Sequence, residues 1–281
     1  MRWKTRAIAM VVIVVLMAVS FVIPVSAISD GEVAAPSAIL MEPNTGKILY
    51  EKNANELRPC ASITKVMTLL LVMEAIDSGK ISLDDQVTAS AHAASMGGSD
   101  IWLKEGETMS VNDLIKATVI MSANDAAVVL AEHVYGTEDE FVKQMNIRAK
   151  QLGMNDTTFK NCNGLDEDGH LTTAHDVALM SAELIKHEKI FDYTLTWMDY
   201  VRDGETQLVN TNKLIRSYKG ITGLKTGTTS QAGSCISATA KRDNLSLVAV
   251  VLGCSTTDER FTSASTLLDY GFANFSFASL Q

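Results

Sequence analysis

Pro59-Cys-Ala-Ser-Ile-Thr-Lys65 runs straight into Val66-Met-Thr-Leu-Leu-Leu-Val-Met-Glu-Ala-Ile-Asp77 and Ser78-Gly79, and this stretch decides the reading of the chain. Proline disfavours helix at the residue before it, so Pro59 closes the preceding loop. Beyond it, Ile63, Val66, Met67, Leu70, Leu71, Met73 and Glu74 describe a largely buried helix. Gly79 falls just past its C-terminus, where a left-handed backbone is wanted. Ser62 then lies in the first turn and Lys65 one turn on. Residues three apart share a helix face, so the ammonium can reach the hydroxyl. Free backbone N–H groups and the positive end of the helix dipole suit an oxyanion there. A Ser-x-x-Lys also occurs as an ordinary surface pair, and the triplet alone does not choose.

Two further triplets bear on the choice. Ser122-Ala-Asn124 ends one helical pattern and begins another. Ser110-Val-Asn-Asp113 resembles a capping box, followed by Leu114, Ile115, Ala117, Thr118, Val119 and Met121. Asn124 precedes Asp125 and the apolar run Ala126 to Val134. Ser and Asn at such a break either project into a cleft or simply cap the helix. Lys225-Thr-Gly227 falls on a strand, with Ile236 to Lys241 and Leu245 to Gly253 as the next two strands around Arg242-Asp243-Asn244. Gly227 lets another backbone approach closely. A cation at a free strand edge suits a substrate carboxylate and an extended peptide, or else is a solvated edge lysine. The ordinary explanations of the three triplets are independent. One acyl-transfer site with a serine nucleophile and a lysine base explains all of them.

With these motifs the chain resembles the low-molecular-mass penicillin-binding proteins, the serine-type D-alanyl-D-alanine carboxypeptidases (peptidase S11-like). The likeness runs from about Ala38 to Phe275. It includes Gly153-Met-Asn155, Asn163-Gly-Leu165, His170 with Thr172-Thr-Ala-His-Asp176, Asn210-Thr-Asn-Lys213, Ala238-Thr-Ala-Lys-Arg242 and Leu267-Leu-Asp-Tyr-Gly-Phe272. The resemblance implies a β-lactamase/transpeptidase-like α/β fold, an antiparallel sheet flanked by helices plus an all-helical subdomain. It implies Ser62 as nucleophile, Lys65 as base and Ser122 as proton relay to the leaving amine. Asn124 would hold the substrate amide and orient Lys65, and the N–H groups of Ser62 and Thr228 would form the oxyanion hole. Lys225, Thr226, Gly227 and Thr228 would receive the terminal carboxylate, with Arg260 as a second cation. The family's other arginine, upstream of Lys225, is replaced here by Asn210 or Thr211. The implied substrates are peptidoglycan stem peptides ending in D-Ala-D-Ala, with β-lactam antibiotics as inhibitors, and no cofactor or metal.

Two other readings share these residues. A class A β-lactamase would need a Glu-x-x-x-Asn loop. Glu167 is followed by His170 and Leu171 with no Asn at that spacing, and Ala123 stands where that class usually has Asp. A β-lactam sensor or structural wall protein would need a dead site, yet every motif residue is present.

The 281 residues, 47% of them hydrophobic, suffice for one large domain or two interleaved subdomains. Residues 1–27 read as a signal peptide: basic Arg2, Lys4 and Arg6, an apolar run Ala7 to Val22, and a cleavage-like Val25-Ser-Ala27. The catalytic domain then spans 28–281, and the protein acts outside the cytoplasm, exported or secreted. The apolar run approaches spanning length, so an uncleaved anchor is the second reading. Cleavage removes three cations and takes the net charge from −9 to −12. Such an acidic product is a poor partner for nucleic acid. The family usually adds a β-rich domain and an amphipathic anchor after this region. The chain stops at Gln281, so either the protein is single-domain, without that β-domain, or the sequence is truncated; membrane association is supported by the N-terminal signal alone.

Cys60, Cys162, Cys235 and Cys254 lie in the exported part, where disulfides are permitted. If Lys241 pairs near Ser246, Cys235 and Cys254 are diagonal across the hairpin and no bridge is favoured. Cys60 has no basic partner in the motif and reads as structural. The five His show no metal-ligand spacing. For the organisation, Ala38 to Glu42 and Lys47 to Lys52 form a hairpin around Pro43-Asn-Thr-Gly46. Residues 80 to about 200 are mainly helical, with Phe141, Met145, Ala149 and Leu152 as core. Strands return from about 205 to 253, and a last helix covers Phe261 to Tyr270.

Overall fold

The structure is a computed structural model that describes residues 28–29 and 31–277. The expected signal segment lies outside the described residues. In chain order, β1 (Ser37–Glu42) and β2 (Lys47–Lys52) make the N-terminal hairpin. A 3₁₀ turn, Ala61–Thr64, leads into α1 (Lys65–Asp77). Next come β3 (Gln86–Thr88), α2 (Ala91–Ala94), β4 (Thr108–Ser110), α3 (Val111–Lys116), a π-turn over Ala117–Met121, and α4 (Asn124–Tyr135). Then follow α5 (Glu138–Gln151), α6 (Ala174–Leu184) and α7 (Phe191–Thr194). The strands β5 (Met198–Val201) and β6 (Thr206–Val209) precede α8 (Leu214–Ser217). The chain closes with β7 (Ile221–Thr229), β8 (Gly233–Arg242), β9 (Leu245–Cys254) and α9 (Thr257–Asn274).

One antiparallel sheet, in the order β2-β1-β9-β8-β7, divides the molecule into layers. Successive side chains of a strand point to opposite faces, and here both faces are covered. Ala38, Leu40, Ile236, Ala238, Leu247, Ala249 and Val251 face Phe261, Ala264, Leu267 and Leu268 of α9. Ile39, Met41, Val248, Val250 and Leu252 face the helical layer, whose centre is α1. This explains why β1 is buried at all six positions and why α1 is apolar nearly all round: a helix covered on every side carries no polar stripe. Arg148 of α5 ties that layer together, donating to Glu74 of α1 at 2.8 Å and to Glu183 of α6 at 2.9 Å. Gly79 terminates α1 with φ of +72°, its N–H on the Ile76 carbonyl, as the sequence suggested.

Several details depart from the sequence reading. The strands after the helices begin at Met198, and β5–β6 form a separate two-stranded sheet. A second small hairpin, β3–β4, interrupts the helical region. The last helix is longer at both ends than Phe261 to Tyr270; at its start Thr256 as N-cap and Glu259 in the first turn form a capping box. Lys241 does pair with Ser246, but a bulge between Ser234 and Ile236 sets Cys254 opposite Ser234. All four thiols are free and buried. Among the described residues no helix is long and apolar enough to cross a membrane.

Candidate active site

Ser62 stands in the 3₁₀ turn, and Lys65 is the first residue of α1. A 3₁₀ turn has three residues per turn, so positions i and i+3 eclipse. Lys65 Nζ accordingly reaches Ser62 Oγ at 3.1 Å. The turn begins with Ala61 at φ +50°, a left-handed conformation that costs an L-residue about 1–2 kcal/mol. Two glycines pack against it. A Cβ on Gly227 would stand 2.8 Å from Cys60 O and 2.9 Å from Ser62 N. A Cβ on Gly164, whose φ is +85°, would overlap the Ala61 carbonyl. The close approach expected at Gly227 is therefore made by the chain's own turn that carries Ser62. Gly164→Ala should cost about 2–4 kcal/mol, the sum of overpacking and left-handed strain. Denaturant unfolding measures this, and an unchanged midpoint would mean that the turn yields freely.

Lys65 is fully buried. Besides Ser62 Oγ, its Nζ donates to Asn124 Oδ1 at 2.5 Å and to the Asn163 carbonyl at 2.6 Å. Burial lowers its pKa to about 7, against the opposing pull of Cys162, Asp100 and Asp125. Burial also pushes the Cys162 thiol well up, which keeps it neutral. Lys225 is buried too, and its pKa falls well below the usual lysine range through burial, then through repulsion from Lys65 and Arg260. Lys225 Nζ has one oxygen partner, the Thr226 carbonyl at 3.1 Å, whereas Lys65 Nζ has three.

Ser122 follows the π-turn at φ +68°, a wide turn and a left-handed residue where a regular helix would have continued. Neither Ser122 nor Asn124 caps: α4 starts after Ala123 with no side-chain cap. Asn124 spends its side chain on Lys65 and on the Gly97 carbonyl, 2.6 Å away. The Ser122 hydroxyl finds no hydrogen-bond partner among the described residues. Asp125 accepts from the N–H groups of Ile101 at 3.2 Å and Leu103 at 2.9 Å, while Asn124 N–H donates to Ser99 O at 2.6 Å. The segment from Ser99 to Leu103 is thereby fixed beside Asn124.

The third triplet lies on β7, the edge strand. Thr226 Oγ1 meets Thr211 Oγ1 at 2.7 Å, and Thr211 N–H donates to Ile120 O at 3.1 Å. Thr211 thus bridges β7 to the π-turn before Ser122; Asn210 instead bonds Thr196 O and Asn212 N–H. Of the two candidates for the missing arginine's place, Thr211 is the one that touches the motif. Arg260 Nη1 donates to Gly227 O at 3.0 Å and Thr228 Oγ1 at 2.8 Å, and its ring partner is Phe261. Its Nε is buried without a partner.

Of the nine residues singled out from the sequence, Ser62, Lys65 and Asn124 are joined by hydrogen bonds, Gly227 packs on the turn of Ser62, Arg260 reaches Gly227 and Thr228, and Lys225 and Thr226 share their strand, whereas the Ser122 hydroxyl has no hydrogen bond to any of them. Three contributors were not singled out: the Asn163 carbonyl, Gly164 and Asp125. A backbone carbonyl has no side-chain signature. Asp125 read as part of a helix start, and the Asn163-Gly-Leu165 stretch figured only as part of the resemblance.

A family model described as D-alanyl-D-alanine carboxypeptidase matches residues 24–256. D-alanyl-D-alanine carboxypeptidase DacF of Bacillus subtilis is 50% identical over 244 residues, which cover 86% of this chain and 63% of that protein. DacC of Escherichia coli is 38% identical over 264 residues, covering 90% of this chain and 66% of that protein. The chain thus spans slightly under two thirds of the length of these curated relatives. Among solved structures, ampicillin-bound penicillin-binding protein D2 of Listeria monocytogenes superposes with a TM-score of 0.79 at 35% identity, over 87% of this chain and all of that one. Penicillin-binding protein 6B of Escherichia coli gives 0.82 at 36% identity, over 89% of this chain and 80% of that one. Matched by this family model over most of its length, 50% identical over 244 residues to one carboxypeptidase, and sharing its fold with penicillin-binding proteins, the chain belongs to the peptidase S11 family, the D-alanyl-D-alanine carboxypeptidases.

Proposed function

We propose that the protein is a serine-type D-alanyl-D-alanine carboxypeptidase. It removes the terminal D-alanine from peptidoglycan stem peptides outside the cytoplasm, and penicillin acylates it. The observation that carries this is the fully buried Lys65 amine 3.1 Å from Ser62 Oγ. Ser62 Oγ attacks the carbonyl of the penultimate D-alanine, and its proton passes to neutral Lys65. The N–H groups of Ser62 and Thr228 receive the oxyanion, each donor being worth about 3–4 kcal/mol of barrier. The C–N bond breaks as Ser122 gives its proton to the leaving amine and takes the one held by Lys65, which is neutral again. Water then hydrolyses the ester and restores Ser62. Asn124 orients Lys65 and holds the substrate amide. The substrate's terminal carboxylate lies against Lys225, Thr226, Gly227, Thr228 and Arg260. That carboxylate places an anion beside Lys225, whose pKa burial and the neighbouring cations Lys65 and Arg260 hold down.

Glu167 supports this reading over the β-lactamase. It is exposed and accepts from Asn161 at 3.1 Å. The oxygen that meets Lys65 from that loop is the Asn163 carbonyl. Glu167 is therefore not the group that meets Lys65 to activate water against a penicilloyl ester, whose leaving group stays tethered. The chain from Ile28 onward should release D-alanine from a peptide ending in D-Ala-D-Ala and hydrolyse penicillin far more slowly. Amidating the peptide's C-terminus should depress turnover strongly, because Lys225 loses its partner. Rapid penicillin turnover without D-alanine release would establish a β-lactamase. A lasting adduct without peptidase activity would establish a sensor.

The base must be neutral to act, and Lys65 has its pKa lowered to about 7. The rate of penicillin acylation should rise with pH through about 7 and level off above it. Stopped-flow acylation between pH 5 and 9 checks this, and a flat profile would contradict it.

A further inference from the structure

Lys160, His170, Thr64 and Cys60 form a line of hydrogen bonds that the proposed reaction does not use. It starts in the loop between α5 and α6 and ends in the turn that carries Ser62. The Lys160 N–H donates to His170 Nδ1 at 3.2 Å. An imidazole that accepts at Nδ1 and is neutral bears its proton on Nε2, so Nε2–H donates to Thr64 Oγ1, 2.8 Å away. The Thr64 hydroxyl is left free to turn its own proton toward Cys60 Sγ at 3.5 Å. Burial keeps the ring neutral by pushing its pKa down to about 4, against Glu167 and Asp166. Phe159 meets the ring edge-on at 5.8 Å.

The two ends of this turn, Cys60 and Thr64, flank Ser62. Ala61 between them holds a left-handed backbone without being glycine, and strain of that kind persists only where the surroundings over-determine it. The same loop places Gly164 against Ala61 and passes the Asn163 carbonyl to Lys65. A buried, fully bonded imidazole is well suited to fix the distance between that loop and the turn.

We propose that His170 is a positioning residue: its Nε2–H bond to Thr64 Oγ1 holds the nucleophile turn so that Ser62 Oγ stays against Lys65 Nζ. It touches no reacting atom and works through Thr64. The kinetic part of the test rests on the proposed acyl transfer.

The two bonds of the ring can be separated. His170→Asn offers an amide oxygen in place of Nδ1 but is too short to reach Thr64. His170→Gln offers an amide N–H in place of Nε2 and keeps the Thr64 bond. Thr64→Val removes the acceptor at nearly constant shape. The maximal rate of penicillin acylation should fall about 10–100-fold in His170→Asn and in Thr64→Val, with the preceding non-covalent affinity nearly unchanged. The double variant Thr64→Val/His170→Asn should be no slower than either single one, because both delete the same interaction. His170→Gln should recover most of the rate. An anchor that acted only on stability would shift the melting temperature and leave this rate order unmoved. Separately, iodoacetamide labelling of Cys60, mapped by peptide mass, should rise at least about 10-fold in His170→Asn and Thr64→Val as the turn opens. Acylation at the wild-type rate in Thr64→Val, a faster His170→Asn than His170→Gln, or multiplying effects in the double variant would each overturn the proposal. If His170→Asn does not fold, Thr64→Val decides. If the wild-type protein takes no penicillin at all, the functional reading falls, and Cys60 labelling judges the positioning role by itself: unchanged labelling rejects it.

Discussion

Ser62→Ala is expected to cut D-alanine release by roughly four to six orders of magnitude, the scale lost when a serine nucleophile is deleted from an otherwise intact site. The geometry makes the loss specific to chemistry. Lys65 Nζ keeps Asn124 Oδ1 and the Asn163 carbonyl as acceptors when the Ser62 hydroxyl is gone. Gly227 and Gly164 still clasp the turn, since their close contacts are to backbone atoms of Cys60, Ala61 and Ser62. The melting temperature should therefore stay near that of the parent. A variant that still releases D-alanine at a tenth of the parent rate would remove Ser62 from the role assigned to it.

Lys65→Arg should also be nearly inactive, losing about 10²–10⁴-fold, the usual worth of a general base. A guanidinium stays protonated at every pH the protein tolerates, so it cannot accept the Ser62 proton. Lys225→Arg keeps the cation that meets the substrate carboxylate and should mainly raise KM, retaining measurable turnover. The contrast follows from the partners: Lys65 touches the nucleophile, whereas Lys225 lies on β7 beside Thr226. Steady-state kinetics of both variants, after thermal melts show both folded, separate the roles. Equal activity of the two variants would end the division of labour.

The sequence made the catalytic triplets legible because each uses side chains whose chemistry is visible in the residue type. The Ser62/Lys65 pairing follows from a spacing of three, and the structure realises it through a 3₁₀ turn rather than the first turn of α1. The hairpins β1–β2 and β8–β9 were legible from the turn residues between two apolar runs. The bulge at Ser234, which moves Cys254 by one position, was not, since a bulge has no fixed composition. The cap reading of Ser122 and Asn124 could not be dismissed from sequence. Only the π-turn and left-handed Ser122 turn those side chains away from the start of α4. The Asn163 carbonyl and the Thr211 bridge depend on long-range approach of loops, which local patterning does not encode.

The central claim is that one serine, in one turn, forms the acyl-enzyme. Intact-mass spectrometry of the wild-type chain after exposure to penicillin, followed by peptide mapping, tests it directly. The account predicts a single adduct of one penicillin mass, carried by the peptide containing Ser62 and assigned to that residue by fragmentation. No adduct, or an adduct on Cys60 or Ser122, would contradict it.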